Sequence, residues 1–386
     1  MNWFVRVLIH GTLFHGSLAT IRPVISYRAL DIGLGPVWLG VFSAAFSLLP
    51  LFVAIPIGRW VDLHDERPAY LTGSVLVTAS AVGLTFAYTP WAIMLCAAAA
   101  GVGLILSMVA AQAMIANRSP RSTFDSRFGL FALAGSMGQL LGPLLLSGLA
   151  ATEPASLTAT AFIGTAIAAA LSLVALIGMP APERRQRASA DGTPPRRQRV
   201  VDVLREPGII PAILASLMVL AAIDVTIVYL PAFGEERGIS AATVSLLLAV
   251  RAAASVVSRA FLGMAVARAG RHAVLFASLV LSAVCVASLS IPMPVWGLAV
   301  ALAVAGLGLG IGQPLTMAWV ADAAAPEARG TAMALRMSGN HLGQTILPLA
   351  AGAVAGGLGV TAIFATFGAG LAATAAAMRR PRPRAR

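Results

Sequence analysis

Gly58-Arg59-Trp60-Val61-Asp62-Leu63-His64-Asp65-Glu66-Arg67 is a charged decapeptide set between two long apolar runs, at roughly 36–58 and 68–88. The same contrast recurs along the whole chain. Of 386 residues, 58% are hydrophobic and only 11% are charged, with a mean hydropathy of +0.86. A soluble domain carries about 25% charged residues, so these side chains are too few to solvate a globular surface. A bilayer removes that requirement, because lipid is itself an apolar solvent.

Apolar runs bounded by Gly, Pro or charge fall at 3–27, 36–58, 68–88, 91–116, 126–150, 157–178, 208–231, 241–263, 272–291, 294–320, 331–356 and 359–378. The first carries His10, His15 and Arg22 and is too long and polar for a cleaved leader, so it counts as a span. The pattern predicts an all-α membrane protein with twelve transmembrane helices and both termini on one side. Residues 1–178 would form an N-terminal six-helix bundle, 179–207 a linker, 208–378 a C-terminal bundle and 379–386 a basic tail.

The net charge of +12 comes from 27 basic residues, every one an arginine. Arg59, Arg67, Arg118, Arg121, Arg127, the arginine-rich 179–207 segment, Arg268, Arg271, Arg329 and the tail fall on one side of the predicted membrane, whereas the opposite connections hold only Arg28 and Arg237. The positive-inside rule makes the first side cytoplasmic, with both termini there. Interleaving with apolar spans argues against nucleic-acid binding. The 179–207 segment, with Pro180, Pro182, Pro194 and Pro195, reads as a flexible linker, with anionic-lipid contact as the alternative. Cys96 and Cys285 lie in apolar runs without metal-ligand spacing and read as small buried hydrophobes.

One offset superimposes the two halves. Shifting by 205 residues puts Gly33 on Gly238, Gly58 on Gly263 and Trp91 on Trp296. It also puts Gly101-Val102-Gly103-Leu104 on Gly306-Leu307-Gly308-Leu309, Gly138-Gln139 on Gly343-Gln344, and Pro143 on Pro348. Six spans fit in that shift, an even number, so both halves enter the membrane the same way round. They are parallel repeats, of the kind that rock around a central site.

The decapeptide resembles the loop signature of the major facilitator superfamily, which runs Gly, three residues, Asp, a basic residue, one residue, Gly and two basic residues. Gly58, Asp62 and Arg67 match, while Leu63, Asp65 and Glu66 depart; in the second copy Gly263, Arg268, Gly270 and Arg271 match and Ala267 replaces the acid. The resemblance covers essentially the whole chain. It implies a bacterial inner (plasma) membrane transporter, working as a monomer without cofactor. Physically, such a loop can act as a latch, with Asp62 pairing with Arg67 or Arg127 and with the positive end of a neighbouring helix; a solvated turn is the plainer alternative. Span five, with Gly129, Gly138, Gly142 and Pro143, resembles the motif of proton-coupled drug antiporters, although its Gly-Gly ending is absent. Gly135, Gly138 and Gly142 share one face and suit close helix packing, and Pro143 bends the span. The embedded span-four arginine of those antiporters has no counterpart in Ala97-Ala98-Ala99-Ala100-Gly101.

Ionisable groups inside spans are costly and mark functional sites. Asp224 in span seven is the candidate proton-titrating group, with Arg251 in span eight tuning it; a static salt bridge is the alternative. His15, Arg22, Gln112, Gln139, Arg336, Asn340 and His341 are candidates to line a substrate cavity. The excess of buried arginine over acid suggests an anionic or zwitterionic substrate. The leading expectation is proton-coupled efflux of a small organic molecule, with proton-coupled uptake of an organic anion as the alternative. A membrane sensor is the reading from another class. The chain has no lysine, hence no phosphate-binding loop ending in Lys-Ser/Thr, no metal-ligand spacing and no Gly-x-Ser-x-Gly elbow, so enzyme chemistry is not expected.

Overall fold

A computed structural model describes residues 2–33, 36–152, 157–180, 199–239, 241–358 and 360–378, and these are almost entirely helical. In chain order the helices are α1 (Trp3–Asp31), α2 (Pro36–Leu63), α3 (Glu66–Phe86), α4 (Pro90–Arg118), α5 (Phe124–Thr152) and α6 (Leu157–Leu176). A short α7 (Val200–Arg205) precedes α8 (Ile209–Glu236), α9 (Ala241–Ala260), α10 (Leu262–Ala269), α11 (Arg271–Ser288), α12 (Val295–Ala323), α13 (Arg329–Leu358) and α14 (Val360–Met378). With α9 and α10 taken as one span bent by 58°, each apolar run of the sequence corresponds to one helix. Among the described residues, seven helices are long and apolar enough to cross a bilayer, or eight with the bent pair. Linker residues 181–198 and the tail 379–386 lie outside the described part.

Local chemistry sets the helix ends. Gly33 and Gly238, one repeat apart, have φ of +74° and +65°, left-handed values that favour glycine, and they close the first helix of each half. Thr89 caps α4 by accepting from Ala92 N at 3.4 Å, with Pro90 in the first turn. Gly270 (φ +79°) separates α10 from α11. The equivalent residue of the first half, Asp65, has φ −58° and instead caps α3 through its side chain, accepting from Arg67 N at 3.1 Å. The departure from the family's glycine at 65 therefore replaces a left-handed turn with a side-chain cap.

The chain divides into two compact units. The first comprises Met1–Pro120, Leu130–Val203 and Ala324–Ser338; the second comprises Arg121–Gly129, Leu204–Ala323 and Gly339–Arg386. In the first unit α4 packs against α2 and α3 at glycines: a Cβ on Gly101 would overlap the Phe46 carbonyl oxygen, and one on Gly73 would lie 2.6 Å from the Gly103 carbonyl oxygen. The second unit repeats both crossings 205 positions later, Gly306 on the Arg251 carbonyl and Gly308 on Ser278 and Ser282. Small residues at such crossings let backbones approach closely, which is how helices associate where lipid removes any hydrophobic drive between them. Many large apolar side chains face outward, among them Phe52, Leu95, Val174 and Ile177. Trp91 and Trp296 are 67% and 73% exposed at the starts of α4 and α12, where an amphipathic ring suits a membrane interface.

The two arginines expected on the opposite side are both tied down. Arg28 is buried, donates to the Ala87 carbonyl at 3.2 Å and lies 4.4 Å from the Tyr88 ring centroid. Arg237 donates to the Ile291 carbonyl at 3.3 Å and lies 4.2 Å from the centre of Phe233. Each satisfies a carbonyl beyond the third span of its half, where helical backbone acceptors run out.

Candidate functional site

The first loop copy is built on a close approach. A Cβ on Gly58 would sit 2.5 Å from Ala334 Cβ and 2.6 Å from the Gly330 carbonyl oxygen, so only glycine lets α2 reach the start of α13. One turn later Asp62 meets the open N–H groups of that helix. Gly330 N donates to Oδ1 at 2.6 Å, and Thr331 N and Oγ1 donate to Oδ2 at 2.8 and 2.5 Å. A helix N-terminus offers unpaired donors and a partial positive charge, and a carboxylate satisfies both. Asp62 lies past the span expected at 36–58. Burial raises its carboxyl from 3.8 to about 6, against the opposing effect of the hydrogen bonds from Thr331 and Gly330.

Arg67, expected as a partner of Asp62, is held by Asp65 at 2.5 Å and donates to the Met179 carbonyl at 3.2 Å. The acid prefers backbone donors because the helix end presents several at fixed positions. Arg6 and Arg118 likewise donate to the Ile177 and Pro180 carbonyls, so three arginines hold the chain leaving α6. Glu66 accepts from Asn117 Nδ2 at 2.7 Å.

The second copy uses different residues at equivalent positions. Gly263 faces Ser126, which lies one repeat before Thr331, with an added Cβ 3.0 Å from Ser126 Cβ. Ala267 cannot bind a helix end. Instead Arg271 grips Asp125 through two bonds of 2.7 and 3.0 Å and donates to Asp322 at 2.9 Å, with Arg121 at 3.3 Å from Asp322. One repeat apart, Arg271 and Asp322 follow Glu66 and Asn117, which are hydrogen-bonded to each other, and Asp125 precedes Gly330. The offset matches the Arg271–Asp322 contact to Glu66–Asn117, but the acids themselves have no acidic counterpart in the other half. Arg268 is exposed and Gly270 supplies the turn.

Inside the helices, several candidates come together within single units. In the first unit, the fully buried Arg336 donates to Gln112 Oε1 at 2.9 Å, and Gln112 Nε2 faces Met337 Sδ at 3.8 Å. His15 Nδ1 donates to the Gly11 carbonyl, 2.9 Å away, and its ring lies over Gly135. Gly138 meets the Thr12 carbonyl and Gly16, so the span-five glycines pack on α1. Gln139 is exposed. Arg22, Gly142 and Pro143 lie in helices, but their side-chain positions are outside the described residues.

In the second unit, Asp224 accepts from Gln344 Nε2 at 2.8 Å, and its charge acts on Arg251 through space. Gln344 stands one repeat after Gln139. Asn340 is buried and reaches Gln313 Oε1 at 3.4 Å, while Gln313 Nε2 donates to the Ser216 carbonyl at 2.7 Å. His341, on the same helix, is half-buried. Arg259 was not singled out by sequence. Pro314 cannot donate to Gly310 O, and Arg259 Nε supplies that bond at 2.8 Å. His10 is another such residue, fully buried between Tyr70 OH and Ser74 Oγ at 2.8 and 2.7 Å.

No curated protein shows detectable sequence similarity to the chain. Among solved structures, the human organic anion transporter MFSD10 (TETRAN) is similar with a TM-score of 0.79 and 17% identity, covering 98% of both chains. The proton:xylose symporter XylE, bound to 6-bromo-6-deoxy-D-glucose, has a TM-score of 0.78 and 16% identity, covering 97% of this chain and 94% of that one. The transporter FucP in its outward conformation has a TM-score of 0.76 and 17% identity, covering 98% and 100%. The family model of the Major Facilitator Superfamily matches residues 7–239 and again 212–386, one match per repeat. With its duplicated loop, its paired helix crossings and this double match, the chain belongs to the major facilitator superfamily, a family of multi-pass membrane transporters and not of enzymes.

Proposed function

We propose that the chain is a proton-coupled secondary transporter of a small organic molecule, working by alternating access from a bacterial inner membrane with both termini cytoplasmic. The observation that carries the coupling is Asp224, a carboxylate within α8 held by the amide of Gln344 at 2.8 Å and acted on by the charge of Arg251. A membrane-embedded acid that can be neutral or charged is the simplest means of tying proton movement to a conformational cycle. The Asp62 contact with the start of α13 supports the cycle: it is a set of bonds that one arrangement makes and another must release.

Export is the direction that the span-five glycine face suggests. Uptake of an organic anion together with protons is a second reading, favoured by the number of buried arginines, Arg251 and Arg336 among them. The substrates named for structurally similar proteins include both a sugar and organic anions.

Purified chain in liposomes, with internal pH monitored and anionic, zwitterionic and cationic compounds offered in turn, tests the proposal. Movement of at least one class should change internal pH. Asp224→Asn should remove that proton dependence and slow transport driven by a pH gradient at least about tenfold, the effect of deleting an essential proton carrier. Full proton-dependent transport by the variant would reject Asp224 as the coupling group.

A further inference from the structure

Arg251 is a buried cation whose guanidinium makes no hydrogen bond or ion pair among the described residues. It lies on α9 at 6% exposure, and its Nε is shut in without an acceptor. Among the described residues, no carbonyl, carboxylate or amide hydrogen-bonds or ion-pairs with any of its side-chain nitrogens. Two other arginines within the helices differ: the half-buried Arg259 donates to the Gly310 carbonyl, and Arg336, whose Nε is also shut in, donates through Nη2 to Gln112. Folded proteins rarely tolerate an interior charge without a partner, because desolvation costs several kcal/mol that only hydrogen bonds and counter-charge offset.

The base of this side chain is fixed. The Arg251 carbonyl accepts from Ser255 Oγ at 3.1 Å and packs so closely on Gly306 that no Cβ fits between them. Asp224 acts on the guanidinium through space and accepts a hydrogen bond from Gln344. The backbone at Arg251 is thus fixed by its neighbours, while its guanidinium Nε is buried without an acceptor.

We infer that Arg251 receives a carboxylate of the transported molecule, and that Asp224 competes with that carboxylate for the Arg251 charge. The inference rests on the proton-coupled transport reading in its second form, uptake of an organic anion together with protons, and adds to it the binding residue and the origin of the coupling. A guanidinium takes a carboxylate through two parallel bonds, stronger than neutral ones and selective for a planar anion. When the substrate neutralises Arg251, ionised Asp224 loses its compensating charge in a low-dielectric setting, and a proton restores neutrality. Linkage is reciprocal, so proton and anion strengthen each other's binding and cross in the same direction.

The other groups around Asp224 fit this balance. On α8 the nearest titratable side chain is Tyr229; α9 adds the cation Arg259; α13 adds His341 beside Asn340 and Gln344. The stretches 295–321 of α12 and 360–378 of α14 present no ionisable side chain. Arg259 is engaged at the Gly310 carbonyl, and the charge that acts on Arg251 from α8 is that of Asp224 itself.

Binding of acetate, benzoate and citrate to the purified full-length chain, with acetamide and benzamide as neutral counterparts and phenylphosphonate as a different anion, tests the assignment. At least one carboxylate should bind wild type with uptake of a proton, and its amide should not. Arg251→Gln should raise the Kd at least about tenfold, the cost of losing a charge-assisted bidentate pair, and Arg251→Lys should recover part of it. Asp224→Asn should move the other way, tightening carboxylate binding and abolishing the proton uptake, so the test does not depend on how well Arg251→Gln folds. The assignment is overturned if no carboxylate binds wild type, if phenylphosphonate alone binds, or if Asp224→Asn weakens carboxylate binding. If carboxylate binding follows Arg251 but nothing crosses the liposome membrane, the transport proposal fails and this site stands. If proton-coupled transport is intact in Arg251→Gln, the site fails and the transport proposal stands.

Discussion

Leucine at Gly101 or at Gly306 should leave no recoverable folded protein, and alanine at either should lower thermal stability sharply. In both places the added Cβ would overlap a backbone carbonyl, that of Phe46 in the first half and Arg251 in the second. A backbone oxygen inside a packed helix cannot swing aside as a flexible side chain would. The helices must separate, and overpacking of a tight interior costs about 1–3 kcal/mol or more. Gly11 is the built-in control, because its added Cβ would find its first neighbour, a Phe131 ring carbon, at an ordinary 3.7 Å. Gly11→Ala should melt near wild type, while Gly101→Ala and Gly306→Ala should melt several degrees lower and elute partly aggregated. Equal melting of all three would show that the two crossings are not the tight points of the fold.

Asp62→Ala should reduce transport by about ten- to a hundredfold while leaving the chain folded. Charge-assisted hydrogen bonds contribute about 1.5–3 kcal/mol each, and every 1.4 kcal/mol shifts an equilibrium about tenfold. Losing even part of the contacts from Gly330 and Thr331 therefore redistributes the arrangements that transport must visit. Arg67→Ala should be mild by comparison, because Arg67 is held by Asp65 and not by Asp62. Acidity acts on the same contact with a definite sign. In place, the Asp62 carboxyl sits near 6; released into water it returns towards 3.8. The contact therefore binds a proton more readily than the released residue does. Its stability is full below about 4 and falls as pH rises through about 6, and Asp62→Asn should flatten that profile. Rates of transport in liposomes clamped from pH 4.5 to 7.5 supply the measurement. A profile that is the same in wild type and Asp62→Asn would remove Asp62 from the cycle.

Much of the fold could be read from hydropathy alone, because lipid imposes one rule on every span. The run expected at 91–116 is α4, Pro90–Arg118, and the run expected at 294–320 is α12, Val295–Ala323. The repeat offset was equally legible, since Gly101 and Gly306 answer to the same crossing. What stayed hidden was anything that depends on backbone atoms. Asp62 binds N–H groups at residues 330 and 331, and backbone donors leave no trace in the letters of a sequence. Arg259 bonds a carbonyl that Pro314 vacates; the vacancy can be counted along the chain, but the arginine that fills it cannot. The span read as 241–263 breaks at Phe261 with a 58° bend and no proline to announce it. Asp65 looked like a damaged glycine position and is a helix cap. Of the intramembrane candidates, Gln112 with Arg336 and His15 with Gly135 come together, while Gln344 was noticed only as a repeat match and proves to be the partner of Asp224.

Arg28 and Arg237 have a consequence for biogenesis. Both are bound to carbonyls and rings that meet only after the helices have packed, so neither charge is masked while the nascent chain is being threaded into the bilayer. Each half must outvote its own exception unaided, and each carries the means: Arg59, Arg67, Arg118 and Arg121 in one, Arg268, Arg271 and Arg329 in the other. Made as two separate polypeptides cut within 181–198, the halves should insert in the same sense and reassemble in the cell.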